Sequence, residues 1–283
     1  MKLMKYISNQ ILVALAALLS VACSTDMGFE QEVGEPAAVQ MCVTIDSETR
    51  AVFGSAGSVD RLYYTVYRVY DGGVLAATPV IATTTPFSNG QASIQMMLVP
   101  QFDYKAFFWA YNSGAEWSVS ESLSLASLTM PASGVANSDM YDAFTGSAII
   151  SAGVSQTVTL RRPLAMLNVC VPQEVWDGVA DPSQARVTVV VKEGALTFDA
   201  FTNTPFARTE NVQTFVATGL EGECFEDGYR RLISCFLFPA ESVEVTLTVE
   251  DGANKIIDQY VIKDVPLKSN RRTNLLGRFS AVI

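Results

Sequence analysis

The sequence contains no histidine. That excludes histidine-based catalytic triads, a histidine general base and histidine metal ligands together. Cysteine is scarce, five in 283 residues, and no pair is spaced Cys-x-x-Cys, so zinc ribbons and dithiol redox motifs are excluded too. Basic residues are outnumbered, 19 Lys and Arg against 29 Asp and Glu, for a net charge of −10. This balance opposes nucleic-acid binding and attachment to anionic membranes through a basic face. Charged residues make up only 17% and apolar residues 49%, too apolar a composition for a disordered chain. Phosphate-cradling glycine patterns, Ser-x-x-Lys pairs and EF-hand spacings are missing, and no segment carries a long amphipathic helical period.

What is present begins with an export signal. Lys2 and Lys5 precede an apolar run, Ile11 to Val21, and Ala22-Cys23-Ser24-Thr25-Asp26 follows. The run is too short to cross a bilayer with margin, so residues 1–22 read as a signal peptide. Cys23 among small residues reads as a lipidation point. Each buried methylene contributes roughly 0.8 kcal/mol of membrane affinity, so several acyl chains (palmitate and its like) on Cys23 hold a protein at a membrane surface. Residues 23–37 are polar, acidic and small, and read as a tether. The expected location is the outer membrane or cell surface. Of the other cysteines, a hairpin could join Cys224 to Cys235, whereas Cys42 and Cys170 sit in apolar strand patterns that suit buried free thiols.

Beyond the tether, strand signals dominate. Val39, Met41, Val43 and Ile45 alternate with Gln40, Cys42, Thr44 and Asp46 at period two. Leu62 to Tyr70 is rich in β-branched and aromatic residues, and Asp71-Gly72-Gly73 supplies a tight turn after it. Ala92–Leu98 and Tyr104–Tyr111 are further strands, the second apolar on both faces and therefore central. Residues 113–138 read as a long surface connection. Pro163 reads as an edge position or bulge between strands 156–160 and 164–171. Segments 185–191, 214–217, 231–237, 243–249 and 256–262 complete the series, with Glu250-Asp251-Gly252 as a turn. Many strands with frequent turns predict an all-β protein of two sandwiches meeting near residue 160. Asp139 and Asp142, and the acidic group Glu221, Glu223, Glu226 and Asp227, read as solvated turns rather than carboxylate catalysts. Tyr63, Tyr67, Phe107, Trp109 and Trp117 read as core. The pairs Arg161-Arg162 and Arg271-Arg272 read as structural, contacting strand ends or the other domain.

Four segments carry a family likeness. Leu160-Arg161-Arg162-Pro163-Leu164-Ala165 resembles the "Leu-x-Arg-Pro-x-Ala" strand of fimbrillin-like lipoproteins, the type V pilins. Phe107 to Asn112 resembles their aromatic strand, and Asp142-Ala143-Phe144-Thr145-Gly146 their "Asp-Ala-Phe-x-Gly" segment. Pro266 to Gly277, with Asn270, Arg272, Thr273, Asn274 and Gly277, resembles their closing motif. The resemblance implies two transthyretin-like Greek-key β-sandwich domains in tandem, 38–160 and 161–283, in a subunit of a surface fimbria. It further implies that an arginine-specific protease removes the first strand and a neighbour's strand replaces it. Glu48-Thr49-Arg50-Ala51 is similar to the family's cleavage site, with the cut between Arg50 and Ala51 and Val39, Met41, Val43 and Ile45 on the exchangeable strand. The segment after Gly277, with Phe279, Ala281 and Ile283 on one side, is short for a donor, which suits a terminal or accessory subunit. Expected partners are other fimbrial subunits by strand complementation, the outer membrane through the lipid on Cys23, and host or bacterial surface ligands, with no nucleic acid. No cofactor, metal or enzyme activity is expected. The competing reading is a surface lipoprotein that does not polymerise and binds glycans.

Overall fold

Period-two alternation buries one face of each leading strand, and the way those faces meet builds the molecule. A computed structural model of the chain describes residues 34–46, 56–119, 128–177, 181, 183–208, 210–219 and 228–277. In chain order the first strands are β1 (Ala37–Ile45), β2 (Arg61–Tyr70), β3 (Val74–Leu75), β4 (Ile81–Pro86), β5 (Gln91–Leu98), β6 (Asp103–Tyr111), β7 (Ser118–Val119), β8 (Leu128–Thr129), β9 (Ser133–Val135), β10 (Ala143–Ile150) and β11 (Gln156–Leu160). They are followed by β12 (Ala165–Pro172), β13 (Arg186–Lys192), β14 (Ala195–Asp199), β15 (Thr204–Ala207), β16 (Val212–Thr218), β17 (Tyr229–Leu237), β18 (Ala240–Glu250), β19 (Ile256–Leu267) and β20 (Arg272–Leu276). Among the described residues the helical content is one short helix, Gln173–Trp176, and two 3-10 turns.

The strands form two sandwiches. In the first, the sheet ordered β11-β1-β5 faces the sheet β10-β6-β2-β3, with β4 also on β2. Its core holds the inward faces of β1 and β5 against Leu62, Tyr64, Val66, Phe108 and Phe144. In the second, β17-β12-β20 faces β19-β18-β13-β16-β9 over a core of Val, Leu, Ile and Phe215. The connectivity repeats. One strand of each sandwich, β1 or β12, lies centrally, antiparallel to one neighbour (β5 or β17) and parallel to the last strand of its own sandwich (β11 or β20). Likewise β2, β6 and β10 pair in the same order as β13, β18 and β19.

Because β6 is apolar on both faces, it serves two cores. Ala106, Phe108 and Ala110 point into the first sandwich, whereas Phe107 and Trp109 point the other way. There they meet Met166 and Phe236 on the outer face of the second sandwich, Leu128 and Phe198 of a third sheet, β15-β14-β8-β7, and Ala200 in the turn after β14. Phe198 stacks on Phe238 at 5.3 Å between ring centres, and Trp109 meets Trp117 edge-on at 5.2 Å. These aromatic faces are packing surfaces, as expected, and their burial withdraws them from solvent.

Several expectations need correction. The 113–138 stretch is no mere surface connection: Ala115, Leu128 and Met130 are buried, and β9 joins the second sandwich with Gly134 against the Phe215 ring, where a Cβ would stand 2.0 Å from a ring carbon. Small, polar composition hid three short strands. Pro163 lies between strands rather than at an edge or bulge of one; β12 begins at Ala165 and is central in its sheet. Cys42 is a free, exposed thiol on the outward face of β1, since the alternation that buries Met41 and Val43 turns it outward. Cys170 is buried and forms no disulfide, as expected. Cys235 is also free rather than half of a hairpin disulfide, because it points into the second core, where burial raises its thiol pKa well above the ordinary value. Cys224 lies outside the described residues.

Candidate functional site

The first feature of interest is the slot that β1 fills. Its inward side chains Val39, Met41, Val43 and Ile45 are all at most 3% exposed, and Ala38, Gln40 and Cys42 face outward. Ala37 to Thr44 run antiparallel to Leu98 to Gln91 on one side, and Met41 to Ile45 run parallel to Gln156 to Leu160 on the other. The ladder is closed at its end by Ile45 N donating to Gly90 O and Asp46 N donating to Leu160 O, both at 3.0 Å. A strand held on both edges and on its inner face would leave, on departure, two facing rows of unmet backbone groups over an apolar floor. Arg50, Ala51 and Cys23 lie outside the described residues.

The second feature is a buried ionic junction. Ser138 Oγ accepts from Met140 N at 3.1 Å and caps a 3-10 turn, Asp139–Tyr141, that turns Asp142 inward at the start of β10. Arg162, set by the short link between β11 and β12, lies wholly buried opposite it. Its Nε donates to Asp142 Oδ1 at 2.6 Å and its Nη2 to Asp142 Oδ2 at 2.8 Å, a two-point match of planar groups. Arg162 Nη1 also donates to Asn270 Oδ1 at 3.2 Å, and the guanidinium stands 4.7 Å from the Phe144 ring centre. Asn270 occupies the turn between β19 and β20 at φ +52°, and its N donates to Leu164 O at 2.7 Å. Thus one residue each from three of the four motif segments, Asp142, Arg162 and Asn270, meets at a single point. Asp142 is therefore no solvated turn. Its partner is 20 residues further along the chain, and a spacing of that kind carries no local signal.

The rest of the closing motif is structural in an equally definite way. Thr273 Oγ1 donates to Pro266 O at 2.7 Å, and Asn274 Oδ1 accepts from Asn168 Nδ2 at 2.9 Å. Arg272 stands beside Met166 in the parallel β12–β20 register, and Gly277 N donates to Cys170 O at 3.0 Å. Gly146 lets β10 press on β11: a Cβ there would stand 2.9 Å from a Leu160 methyl. Of the arginine pairs, Arg162 makes a structural contact, as expected of it, with Asp142 and Asn270, whereas the Arg161 side chain is 82% exposed.

Burial raises the Asp142 carboxyl from 3.8 to about 6, against the hydrogen bonds and charge of Arg162. Between these values the folded chain holds a proton that the unfolded chain has released. The group's contribution to stability therefore falls as pH rises through that window and is flat above it. The unfolding free energy of the native chain minus that of Asp142→Asn should decline up to about pH 6 and then level; a gap that widens across the window contradicts this.

A family model described as a family of unknown function, DUF6562, matches residues 30–281. The chain belongs to this family. No protein of curated function matches the DUF6562 chain. Solved structures do. A candidate polysaccharide-binding protein (DUF1812) from Bacteroides thetaiotaomicron is 13% identical with a TM-score of 0.52, over 85% of this chain and 90% of that one. A candidate adhesin from Bacteroides ovatus is 9% identical with a TM-score of 0.50, over 87% and 90%. The fimbrial anchor protein Mfa2 from Porphyromonas gingivalis is 13% identical with a TM-score of 0.45, over 80% and 82%. Identities this low speak to fold alone. For the DUF6562 chain that fold is the all-β architecture of tandem sandwiches that the motif resemblance implies.

Proposed function

We propose that the chain is a surface adhesion protein, a fimbrial subunit or accessory adhesin, in which β1 is an exchangeable strand. It is exported with the 1–22 signal, held at the outer membrane by lipid on Cys23, and divided into its two sandwiches near residue 160. It works by binding and assembly rather than by catalysis. The observation that carries the reading is the asymmetry between β1 and β12. Both occupy the same central place in their sandwiches, yet β12 is joined to β11 before it and to the Gln173–Trp176 helix after it, whereas a single cut between Arg50 and Ala51 frees β1 from everything after it.

The physics favours replacement over a vacant slot. A free strand offering period-two apolar side chains restores both the core and the backbone ladders at once. Such a contact joins unlike surfaces of successive copies, so it need not close and can extend as a filament. Other fimbrial subunits are then the partners, by strand complementation.

Treating the purified chain with an arginine-specific protease tests this. The expected result is loss of the segment ending at Arg50, an intact mass beginning at Ala51, and incorporation into high-mass species that dissociate on heating when mixed with a strand-donating subunit. A chain that resists the protease at Arg50, or is cut there and remains monomeric with such a subunit, contradicts the reading.

A further inference from the structure

We infer that one pole of the first sandwich is a docking surface that seats the protein on a phospholipid bilayer. The inference rests on the reading that Cys23 carries lipid. It does not involve strand exchange, so the two ideas fail in different experiments.

Five strand ends meet at this pole. β1 starts at Ala37, paired with Leu98 at the end of β5. On the facing sheet, Val69 near the end of β2 lies beside Asp103 at the start of β6, and Ile150 at the end of β10 lies beside Tyr104. Three turns close the pole: 70–74 after β2, 99–102 between β5 and β6, and 151–155 between β10 and β11. Tyr104 Oη accepts from Val99 N at 3.2 Å and braces the second turn. Gly153 brings the third against β1, since a Cβ there would stand 3.7 Å from the Cβ of Ala37.

The turns present apolar side chains to solvent. Tyr70, Val74 and Val154 are each more than half exposed, and so is Met97, one residue before the end of β5. Among the 14 residues of the three turns the one charged side chain is Asp71. On the adjoining strand ends Arg68 and Lys105 offset Asp71 and Asp103, and Glu35 in the tether adds one acid, so the pole is close to neutral in a chain of net charge −10. Arg68 differs from Arg161 and Arg162. Its guanidinium stands 3.3 Å from the Phe102 ring centre and 5.6 Å from that of Tyr70, and it has no carboxylate within ion-pairing distance among the described residues. Its Nε is buried without a hydrogen-bond partner.

The tether decides what covers this surface. Cys23 stands 14 residues before Ala37 in the sequence. A flexible link of that length spans about 20 Å root-mean-square. Lipid on Cys23 therefore holds the pole where β1 begins near the headgroups, at an effective concentration on the order of millimolar. Docking too weak to recruit a free protein suffices for a tethered one. Aromatic and aliphatic tips suit the interfacial layer of a bilayer, and a guanidinium framed by aromatic rings suits a headgroup phosphate. A near-neutral pole matches a zwitterionic surface rather than an anionic one.

Hydrogen exchange tests this on the lipid-bearing full chain in vesicles of phosphatidylethanolamine and phosphatidylcholine, compared with the lipid-free chain in solution. Exchange in 70–74, 99–102 and 151–155 should slow about tenfold on the vesicles, as when docked protein outnumbers undocked by ten to one, while turn 87–90 at the opposite pole is unaffected. Tyr70→Asp with Val74→Asp changes two exposed side chains and should abolish the slowing with the lipid still attached, and Arg68→Gln should weaken it. Ile256→Asp, at an exposed apolar position of β19, should leave it unchanged. Unslowed exchange on vesicles, slowing shared by 87–90, or slowing that survives Tyr70→Asp with Val74→Asp overturns the proposal. So does the same slowing in the lipid-free chain as its concentration rises, which would assign the pole to a second copy. An intact mass without lipid on Cys23 overturns the anchor and this inference together, whereas lipid without slowing overturns this inference alone.

Discussion

Arg162→Ala should lower the free energy of unfolding by about 3–5 kcal/mol, whereas Arg161→Ala should change it by no more than about 0.5 kcal/mol. The two arginines are adjacent in sequence and opposite in environment. Arg162 is wholly buried against Asp142, and its removal strands a carboxylate that has no water to turn to. It also releases Asn270, and with it the turn that delivers β20 to the edge of β12. Arg161 stands in solvent, and its backbone bridge to Thr145 does not need the side chain. Denaturant unfolding of the two variants reads the difference directly. Equal losses would mean that the junction is not what holds these segments together. Replacing both partners with apolar residues, Asp142→Leu with Arg162→Met, should recover most of the loss, because desolvating two charges costs nearly as much as their pairing returns.

Much of this architecture was legible in the residues. Period two in Val39–Ile45 gave the buried face of β1 and, by the same alternation, should have placed Cys42 outside. The double-sided apolar run Tyr104–Tyr111 marked a central strand, and β6 indeed lies between β2 and β10 and feeds two cores. What was hidden is nonlocal or too short. β8 and β9 are two and three residues long and owe their places to tertiary partners, Phe198 and Phe215, rather than to any pattern of their own. β14, β15 and β20 are similarly brief or bounded by polar residues. The junction is the clearest case. Asp142 read as a solvated turn, Arg162 as a structural contact and Asn270 as part of the closing motif; that the three meet stayed hidden, because a buried charge is disclosed only by its partner, and here the partners come from distant turns.

The second large effect concerns β1 itself. A chain beginning at Ala51 lacks four fully buried side chains, each contributing about 1.5–3 kcal/mol, or about 6–12 kcal/mol before entropy is subtracted. Net stabilities of domains are only about 5–15 kcal/mol. The shortened chain should therefore unfold or associate at ordinary temperature, with the first sandwich affected before the second, whose core shares no strand with it. Loss of hydrogen-exchange protection should begin in β5 and β11, the two strands that β1 separates.

Supplying the missing strand as a peptide tests the central claim most directly. A synthetic peptide of residues 37–46, added to the chain that begins at Ala51, should bind one to one and restore protection in β5 and β11, and a peptide with Met41 and Val43 changed to Asp should do neither. If the shortened chain keeps the thermal midpoint of the intact chain and ignores the peptide, β1 is dispensable to the fold, leaves no slot for a foreign strand, and the assembly role falls with it.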